Sequence, residues 1–526
     1  MGAAPLPPFL RIPPFPGARV SAFAPTTTHV ERPDPAALVE AFRRNRVGGN
    51  YWVPTDDRPQ GVVVRSLRLQ DTAKAVAASL GAPVELRPSP PAAEDVDLWS
   101  LFESCRAVVC EDDDPARFVA ALLDLPSYVG TSGTTDDEAI TDLQDMICGG
   151  AFASPFDGQP MGVLDAIELC GFWRALVESN RDLAAALGFA FWKQDSVRPL
   201  LWGGGEPLPF WRRLPTSPPM GSVAVWRSKA PSDDLAVLEA HATPLVEVED
   251  GFLRSAGLGA DCVPPLSITV DRLGAYFDPS TPSELERLLQ DGDFDPSLLE
   301  RARELRSRIV ETGLGKYGRG TTALPRFGGE RVHLLVPGQV EDDRSVMTGG
   351  GGMSNLELLR RVRTANPDAF VIYKPHPDVE AGHRKGAIPA AEAAKLADRI
   401  VDDQPIAALL DLADEVHVNT SLTGFEALMR GKPVTAHGVP FYAGWGLTTD
   451  LGPVPASRSR RRSLDELAAA TLLVYPRYLD PVSGLPCPAE VVVRRLVDDP
   501  APRPGIVVRL RRWQGKVARH FRVLGG

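Results

Sequence analysis

Several features that mark common classes of protein are missing from this 526-residue sequence. Its six cysteines are scattered, without the paired spacing of a metal site, which is typical of reduced, buried thiols in a cytoplasmic protein. No run of about 18 apolar residues occurs, so we expect no membrane-spanning helix. The proline-rich start lacks the basic end and apolar run of a secretory signal. The phosphate-binding patterns GxxxxGK(S/T) and GxGxxG are also absent, which disfavours P-loop and dinucleotide-binding proteins.

Excess positive charge is missing too, except at one end of the chain. The net charge of -11 argues against a general nucleic-acid binder. The segment 503–522, by contrast, holds seven Arg or Lys residues and no acid, with apolar residues at roughly helical spacing. This tail is either a terminal helix packed on the body or a basic amphipathic segment that adsorbs to an anionic inner membrane face. In the second case each basic residue adds about 1 kcal/mol.

Strand and helix patterns alternate along most of the chain. Apolar runs at 222–226 and 244–250 flank a helical pattern at 233–242, and a second such series begins at 332. Alternation of this kind predicts parallel sheets with crossover helices, and the length allows two or three domains. We therefore expect an α/β protein with two doubly wound domains, in which ligands bind at the carboxyl ends of the strands.

Two turn-rich strings near the C-terminus also have counterparts near the middle of the chain. PFYAGWGLTTD and YLDPVSGLPCPAE follow one another in the same order as PSYVGTSGTTDD and FASPFDGQPMGVLDAI. The N-terminal part therefore resembles half of a module without its chemical residues, and chance similarity of turn-rich strings is the alternative.

Charged residues follow two of the predicted strands. Glu249 and Asp250 precede Gly251 at the end of one strand, where a solvated turn and an active-site carboxylate pair are both possible readings. Lys374 and His376 close another strand and lie on the same side of an extended chain. A lone surface histidine is the alternative, but a cationic pair at a strand end suits a phosphate.

The string NTSLTGFEAL runs from a strand into a helix. Thr420, Ser421 and Thr423 supply hydroxyls, and N–H groups near Gly424 open a helix whose N-terminus attracts anions. Ordinary capping explains one hydroxyl of the three. Glu426, in what we expect to be the first turn, is a candidate to bind ribose hydroxyls.

A third candidate region, 336–355, ends a strand with Gln339 and continues as a loop rich in acids and glycine. Its four consecutive glycines predict a mobile loop rather than a phosphate site. Asp342 and Asp343 are a possible metal pair, but nothing in the pattern requires a metal, and we expect none. A sugar nucleotide with a single phosphate explains the three regions together: His, Lys and a helix N-terminus stabilise the leaving phosphate, and a carboxylate opposite acts as nucleophile or base.

These motifs resemble those of the KpsC-type capsule β-Kdo transferases. The resemblance covers about residues 220–490 and rests on VEDGFLRSAGLGA, VPGQVEDDRSV, YKPHPDV, NTSLTGFEALMRGKPVTAHGVPFYAGWGLTTD and YPRYLDP in this order. It implies a GT-B-like fold and CMP-Kdo as the donor. Members of the family carry two complete modules and build the Kdo linker between a capsule polysaccharide and its lysophospholipid anchor. This chain retains one complete module, which corresponds to the second, so alternating addition of two linkages by one polypeptide is in doubt.

The resemblance also implies roles for individual residues. In related CMP-sugar transferases the acid–acid–glycine motif supplies the catalytic carboxylate, and the His–Pro motif and the Ser/Thr stretch hold the CMP phosphate. Retention of configuration implies Asp250 as nucleophile, with Glu249 supporting it and Arg254 keeping it ionised. Arg254 and Lys316 are candidates to bind the Kdo carboxylate, and Tyr276 and Trp445 either stack on the ligand or pack in the core. The predicted catalytic residues are Asp250, Glu249 and His376, and the predicted substrate-binding residues are Gly251, Arg254, Ser255, Lys316, Gln339, Lys374, Pro377, Thr420, Ser421, Thr423, Gly424 and Glu426.

The resulting hypothesis is a retaining transferase that moves Kdo from CMP-Kdo to a Kdo-primed glycolipid at the inner membrane, with other capsule biosynthesis and export proteins as partners and no cofactor. The alternatives are a non-catalytic scaffold or export factor, and an inverting transferase of another CMP-linked ulosonic acid. We expect a degenerate partial module at 1–165, an acceptor-side catalytic Rossmann-like domain at 166–325, a CMP-sugar-binding Rossmann-like domain at 326–490 and the basic tail at 491–526.

Overall fold

A computed structural model describes residues 9–26, 33–89, 96–131, 133–136, 138–148, 151–216, 219–253, 263–315, 318–319, 324–380, 382, 384–402 and 404–498. The strands are β1 Ala24–Thr26, β2 Val62–Val64, β3 Val84–Leu86, β4 Ala107–Cys110, β5 Ser127–Val129, β6 Thr134–Thr135, β7 Ala151–Ala153, β8 Pro160–Met161, β9 Leu183–Leu187, β10 Phe210–Trp211, β11 Ser222–Val225, β12 Leu245–Asp250, β13 Ser267–Asp271, β14 Leu314–Gly315, β15 Gly318–Arg319, β16 His333–Pro337, β17 Phe370–Lys374, β18 Arg399–Ile400, β19 Glu415–Val418, β20 Val434–Ala436, β21 Thr449–Asp450, β22 Pro476–Leu479 and β23 Pro486–Cys487.

The helices are α1 Pro35–Asn45, α2 Gln70–Leu80, α3 Leu98–Phe102, α4 Ala116–Leu122, α5 Ala139–Cys148, α6 Val163–Glu178, α7 Phe191–Val197, α8 Ser232–Ala240, α9 Glu284–Asp291, α10 Pro296–Glu311, α11 Arg344–Gly349, α12 Asn355–Ala365, α13 Pro377–Glu380, α14 Ala390–Leu396, α15 Ile406–Leu412, α16 Leu422–Met429, α17 Leu464–Ala468 and α18 Ala489–Asp498. Within the described ranges, none of them combines the length and the apolarity needed to cross a bilayer.

The chain divides into two compact units. Unit 1 comprises residues 1–183, 198–208 and 481–486, and unit 2 comprises 184–197, 209–480 and 487–526. The four predicted segments divide the chain differently, since 166–325 takes residues from both units, and their boundaries stay predictions.

Unit 1 contains a small α/β core. Strands β2, β3, β4 and β5 pair in parallel, in the order β3-β2-β4-β5, and β6 joins β5 antiparallel. Ala73 and Val76 of α2, with Leu69 just before the helix, pack on Val62 and Val64 of β2. A separate antiparallel sheet, β1-β7-β8, leads into the long helix α6. Later in the chain, β22, β23 and α18 follow each other in the same strand–turn–strand–helix order as β7, β8 and α6, which is the order that the repeated strings share.

Unit 2 contains two larger sheets, which we call sheet A and sheet B. Sheet B has the order β18-β17-β16-β19-β20-β21 and is parallel throughout. Every residue of β16 and β17 is buried, as expected for parallel strands that are covered on both faces. Leu358, Leu359 and Val362 of α12 cover one of these faces. The Ser354 side chain caps the first turn of this helix by accepting from the Glu357 N–H (3.2 Å).

Sheet A has the order β10-β9-β11-β12-β13-β22-β23. In it β10 pairs parallel with β9 and β11 pairs parallel with β12, whereas β13 pairs antiparallel with both β12 and β22. The expectation of wholly parallel sheets is therefore wrong at this point. The sequence between β12 and β13 has no helical pattern, and consecutive strands without a crossover helix pair antiparallel. The α/β fold class with two doubly wound sheets is confirmed.

The glycine-rich segment after β16 also differs from the expected mobile loop, because it contains the helix α11. The carboxylate of Asp343 caps this helix by accepting from the backbone N–H (3.1 Å) and the hydroxyl (2.8 Å) of Ser345. A Cβ on Gly349 would lie 2.9 Å from the carbonyl oxygen of Val439, so this glycine permits close packing. Only Gly351 and Gly352 of the run adopt positive φ in open space.

Candidate active site

A cavity of about 670 Å³ lies in unit 2 between the carboxyl ends of strands from sheets A and B. Glu249 and Asp250 of β12 lie on one wall. Lys374, His376 and Ser421, which follow or end β17 and β19, lie on the other wall. The strand-end rule for doubly wound sheets therefore places the predicted carboxylates and the predicted phosphate-binding residues around one space.

The two carboxylates point to opposite faces of sheet A, because successive side chains of a strand alternate. Asp250 forms an ion pair with Lys193 of α7, with 3.1 Å between Lys193 Nζ and Asp250 Oδ1. The same ammonium lies 3.2 Å from the ring centroid of Trp226, over its face. The cation that accompanies Asp250 thus comes from a helix 57 residues earlier in the chain.

Glu249 has a different partner. Arg344 of α11 donates from Nη1 to Glu249 (3.1 Å) and to Glu247 (3.0 Å), two residues on the same face of β12. Burial raises the pKa of Glu249 to about 7, because desolvation disfavours the carboxylate. The positive charges of Arg344 and Lys193 lower this pKa. The negative charges of Asp250 and Glu247 raise it further.

Gly251 supports this wall from behind and does not line the cavity. A Cβ at this position would lie 2.3 Å from Ser267 Oγ, and the Gly251 N–H donates to the Ser267 carbonyl (3.0 Å). The Ser267 hydroxyl in turn donates to the carbonyl of Leu253 (2.6 Å). The glycine therefore lets β13 approach the end of β12.

On the opposite wall, Lys374 and His376 both line the cavity. Lys374 is buried, and its ammonium donates to the carbonyl of Asp402 (2.8 Å). His376 Nδ1 accepts a hydrogen bond from the Asp378 N–H (3.1 Å). Nε2 is therefore the nitrogen that carries the proton of the neutral ring, and it is a donor in both protonation states. Pro377 also lines the cavity and occupies the first position of α13, where the missing N–H costs nothing.

The N-terminus of α16 forms the remainder of this wall. Ser421 is the N-cap, and its Oγ accepts from the Thr423 N–H (3.2 Å) and donates to Thr423 Oγ1 (3.1 Å). Thr420, Ser421 and Thr423 all line the cavity. Glu426 lines it too, as a buried side chain, but it is the fifth residue of α16 and lies in the second turn instead of the predicted first turn.

Gln339 lines the cavity but uses its side chain to fix the loop of Thr420. Its amide nitrogen donates to Thr420 Oγ1 (3.0 Å) and its amide oxygen accepts from the Thr420 N–H (2.9 Å). Gly424 does not line the cavity. A Cβ there would lie 2.2 Å from the hydroxyl oxygen of Tyr442, whose hydroxyl donates to the Ser421 carbonyl.

Three predicted substrate-binding residues, Arg254, Ser255 and Lys316, lie outside the described residues, as does most of the predicted basic tail. Of the two aromatic candidates, Tyr276 lines the cavity, whereas Trp445 is completely buried and donates to the Phe441 carbonyl (2.8 Å).

The possible metal pair has other partners here. Asp342 accepts from Arg384 (3.2 Å), and Asp343 caps α11. The absence of a cofactor stays a prediction.

Sequence reasoning missed Lys193 and Arg344, the cations that pair with Asp250 and Glu249. Lys193 follows the apolar strand LAAAL, so the strand-end rule applied to β9 was the signal that could have found it. Arg344 follows the acidic pair at 342–343, where the expected loop concealed a capped helix. Neither contact can be read from spacing, because each joins elements that are far apart in sequence.

Known proteins resemble the part of the chain that contains this cavity. The sequence model of the family described as "Capsule polysaccharide biosynthesis protein" matches residues 222–314 and 303–478. The capsule polysaccharide modification protein LipA of Neisseria meningitidis serogroup A is 38% identical over 360 residues, which is 66% of this chain and 50% of LipA. The lipopolysaccharide-processing protein LpsZ of Rhizobium meliloti is 48% identical over 253 residues, 47% of this chain and 57% of LpsZ. The chain thus spans about half the length of the curated relatives it matches.

A solved structure extends the likeness to the fold. The β-Kdo 2,4 transferase of Thermosulfurimonas dismutans KpsC is 31% identical, with a TM-score of 0.52, and the match covers 60% of this chain and 98% of that one. The GT-B-like arrangement that the resemblance implies is therefore confirmed. With nearly the whole of that transferase module matched at this identity, the chain belongs to the KpsC-type family of capsule polysaccharide biosynthesis proteins.

Proposed function

We propose that this protein is a retaining glycosyltransferase that moves Kdo from CMP-Kdo onto a Kdo-primed glycolipid during assembly of a capsule polysaccharide linker. The observation that carries this proposal is that two walls of opposite charge line one cavity. Glu249 and Asp250 form the acidic wall, and Lys374 and His376 form the cationic wall. The β-Kdo 2,4 transferase for which the solved KpsC structure is named supports it as well.

The cationic wall suits the single phosphate of CMP. Lys374 brings a positive charge, His376 donates through Nε2, and the N-terminus of α16 adds the favourable end of a helix dipole. Charge that develops on the leaving phosphate is stabilised by these groups, so departure of CMP requires no protonation by an acid.

The acidic wall supplies the two carboxylates of a double displacement. In the first step a carboxylate oxygen of Asp250 bonds to the anomeric carbon of Kdo, and the bond from that carbon to the phosphate oxygen breaks, with its electron pair leaving on CMP. In the second step an acceptor hydroxyl bonds to the same carbon, and the ester bond to Asp250 breaks. Glu249 accepts the hydroxyl proton, a role suited to a carboxylate whose pKa lies near 7.

An inverting transfer of another CMP-linked ulosonic acid is the second candidate. The observation that favours it is also Glu249, because a general base with a pKa near 7 is what direct attack by the acceptor requires. Direct attack forms no enzyme adduct and reverses the configuration of the anomeric carbon, so the two candidates differ in observable products.

The test combines turnover with intact-protein mass spectrometry. The purified chain is incubated with CMP-Kdo alone and with a Kdo-primed acceptor. We expect a Kdo adduct that maps to Asp250, a product of retained configuration, and loss of both in Asp250→Ala. Asp233→Ala, an exposed aspartate of α8, is the matched control and retains both. An inverted product without adduct supports the second candidate instead. Absence of both turnover and CMP binding by calorimetry indicates a scaffold.

The proposal includes a cellular location, at the membrane that holds the glycolipid acceptor. We place the enzyme on the cytoplasmic side of the inner membrane, attached peripherally through the basic segment 503–522, where its glycolipid acceptor and the other capsule assembly proteins are found. Co-sedimentation with anionic vesicles that is unchanged in a chain ending at residue 498 contradicts this location.

A further inference from the structure

Lys193 is a buried cation whose position is fixed by aromatic packing. It is 8% exposed and lies in α7, directly after the end of β9. The residue that leads into this helix, Phe189, packs edge-on against Phe210 (5.2 Å between centroids) and Trp226 (5.5 Å). These contacts hold α7 against sheet A, where the Lys193 ammonium lies over the face of Trp226.

A buried ammonium is costly unless it is paired, and here its carboxylate partner is Asp250. The Asp250 side chain is 27% exposed and lines the cavity, whereas the Lys193 side chain is only 10% exposed. The lysine therefore meets the carboxylate from the protein side and contacts Oδ1 at 3.1 Å. This contact limits the orientations that the Asp250 carboxylate can adopt at the cavity wall.

Among the residues that the structure describes, which do not include Arg254, the other charged groups at this end of β12 do not replace Lys193. Glu249 adjoins Asp250 with the same sign of charge, and Arg344 contacts Glu249 and Glu247 on the opposite face of the strand. Lys374 and His376 belong to the opposite wall, where the leaving phosphate would bind. An ammonium 3.1 Å away thus favours the ionised form of Asp250 against the influence of Glu249.

We propose that Lys193 is the positioning residue of Asp250: it keeps this carboxylate ionised and holds it toward the cavity in which the anomeric carbon of the donor would lie. The role of Asp250 as nucleophile rests on the proposed function, whereas the hold of Lys193 on Asp250 does not. Lys193 precedes residue 222, where the match to the sequence model of the family begins.

The first experiment measures the rate of adduct formation with CMP-Kdo alone between pH 5.5 and 8. Lys193→Met keeps the length of the side chain and removes the charge, Lys193→Arg keeps the charge, and Lys229→Met, an exposed lysine after β11, is the matched control. Loss of an opposite charge in contact with a carboxylate raises the pH needed to ionise it by about one to three units. We expect Lys193→Met to be at least about 10-fold slower at pH 8 and about 10-fold slower again, relative to wild type, at pH 5.5. Lys193→Arg recovers part of the rate, and Lys229→Met matches wild type.

Calorimetry with CMP shows whether the variants remain folded, because the proposed phosphate site lies on the other wall. We expect a Kd within about twofold of wild type for Lys193→Met. An adduct rate in Lys193→Met that equals wild type overturns the inference. So does a defect that is the same at every pH and is not relieved in Lys193→Arg, since that pattern indicates packing alone.

A second experiment reads the contact without turnover. Thermal unfolding midpoints of Lys193→Met, Asp250→Asn and the double variant form a double-mutant cycle. Each single change leaves a partly buried group without its charge partner, so we expect the double variant to be more stable than the sum of the two losses predicts. Additive shifts overturn the inference. If wild type forms neither adduct nor product, the proposed function fails, and this cycle still decides the role of Lys193.

Discussion

Glu249 and Asp250 are neighbours in the chain, but strand geometry divides them between two cations. Asp250 contacts Lys193 on one face of sheet A, and Glu249 contacts Arg344 on the other. The partner of Asp250 is buried beside an aromatic ring, and Glu249 is desolvated enough for its pKa to rise to about 7. Two adjacent acids thereby acquire different chemistry, one as a paired carboxylate and one as a group that exchanges a proton near neutrality.

Replacement of Glu249 by Gln tests this environment at the residue scale. A carboxyl whose pKa is raised in the folded state binds its proton more tightly there than in the unfolded chain. The contribution of Glu249 to the free energy of unfolding is therefore highest below pH 4.5 and falls as the pH rises to about 7. Glu249→Gln removes this loss, which is ~3 kcal/mol at most. We expect the unfolding midpoint of the variant, relative to wild type, to be higher at pH 8 than at pH 5.

Glu239→Gln is the control, because Glu239 is a half-exposed glutamate at the outer end of the same ionic network. It is expected to leave the pH dependence unchanged. A difference between Glu249→Gln and wild type that is constant from pH 5 to pH 8 contradicts the raised pKa.

At the scale of elements, the N-terminus of α16 is positioned by packing as much as by its cap. Ser421 caps the helix, Gln339 fixes the preceding Thr420, and the Tyr442 hydroxyl donates to the Ser421 carbonyl. Gly424 is the residue that admits Tyr442 to this position, since a Cβ there would lie 2.7 Å from the ring carbon Cζ. The glycine of the TSLTG motif thus acts on the anion site through the tyrosine behind it.

Gly424→Ala separates packing from helix propensity. Propensity alone favours alanine in a helix by about 1 kcal/mol, whereas overpacking against Tyr442 costs about 1–3 kcal/mol. We expect a net loss of stability in thermal unfolding and weaker CMP binding, because Tyr442 moves away from the Ser421 carbonyl. Adding Tyr442→Phe removes the nearest atom and recovers part of the stability. A Gly424→Ala variant more stable than wild type refutes this account.

At the scale of the whole molecule, unit 2 is assembled from segments that are separated in the chain. Residues 184–197 supply β9, which lies between β10 and β11 in sheet A, and α7 with Lys193. Leu187 of β9 belongs to the same buried cluster as Val223, Val225 and Leu238. The segment that matches the family model, which begins at residue 222, therefore lacks an inner strand of its own sheet.

A chain that begins at residue 209 tests this dependence. It keeps the whole segment matched by the family model but loses β9, so β10 and β11 have no strand between them and the cluster around Val223 is opened. We expect an aggregated product without a cooperative thermal transition and without CMP binding, beside a full-length chain prepared in parallel. A soluble 209–526 chain that binds CMP with full-length affinity contradicts the role of β9.

Much of the fold was predictable because it depends on local patterns. The bounds of α12 and the start of α16 follow from apolar periodicity and a capping serine, which act within one helical turn. The placing of Glu249, Asp250, Lys374, His376 and Ser421 around one cavity was predictable as well, since strand ends of doubly wound sheets meet at one edge.

The sequence by itself thus determined the elements, the fold class and the residues with reactive side chains, because propensity and periodicity are properties of short segments. Only the tertiary structure decided the partners: Lys193 for Asp250, Arg344 for Glu249, Tyr442 behind Gly424, and the antiparallel pairing of β13. These contacts join residues from 18 to 95 positions apart in the chain. Spacing in one sequence does not encode such contacts, because they arise from packing of the complete chain.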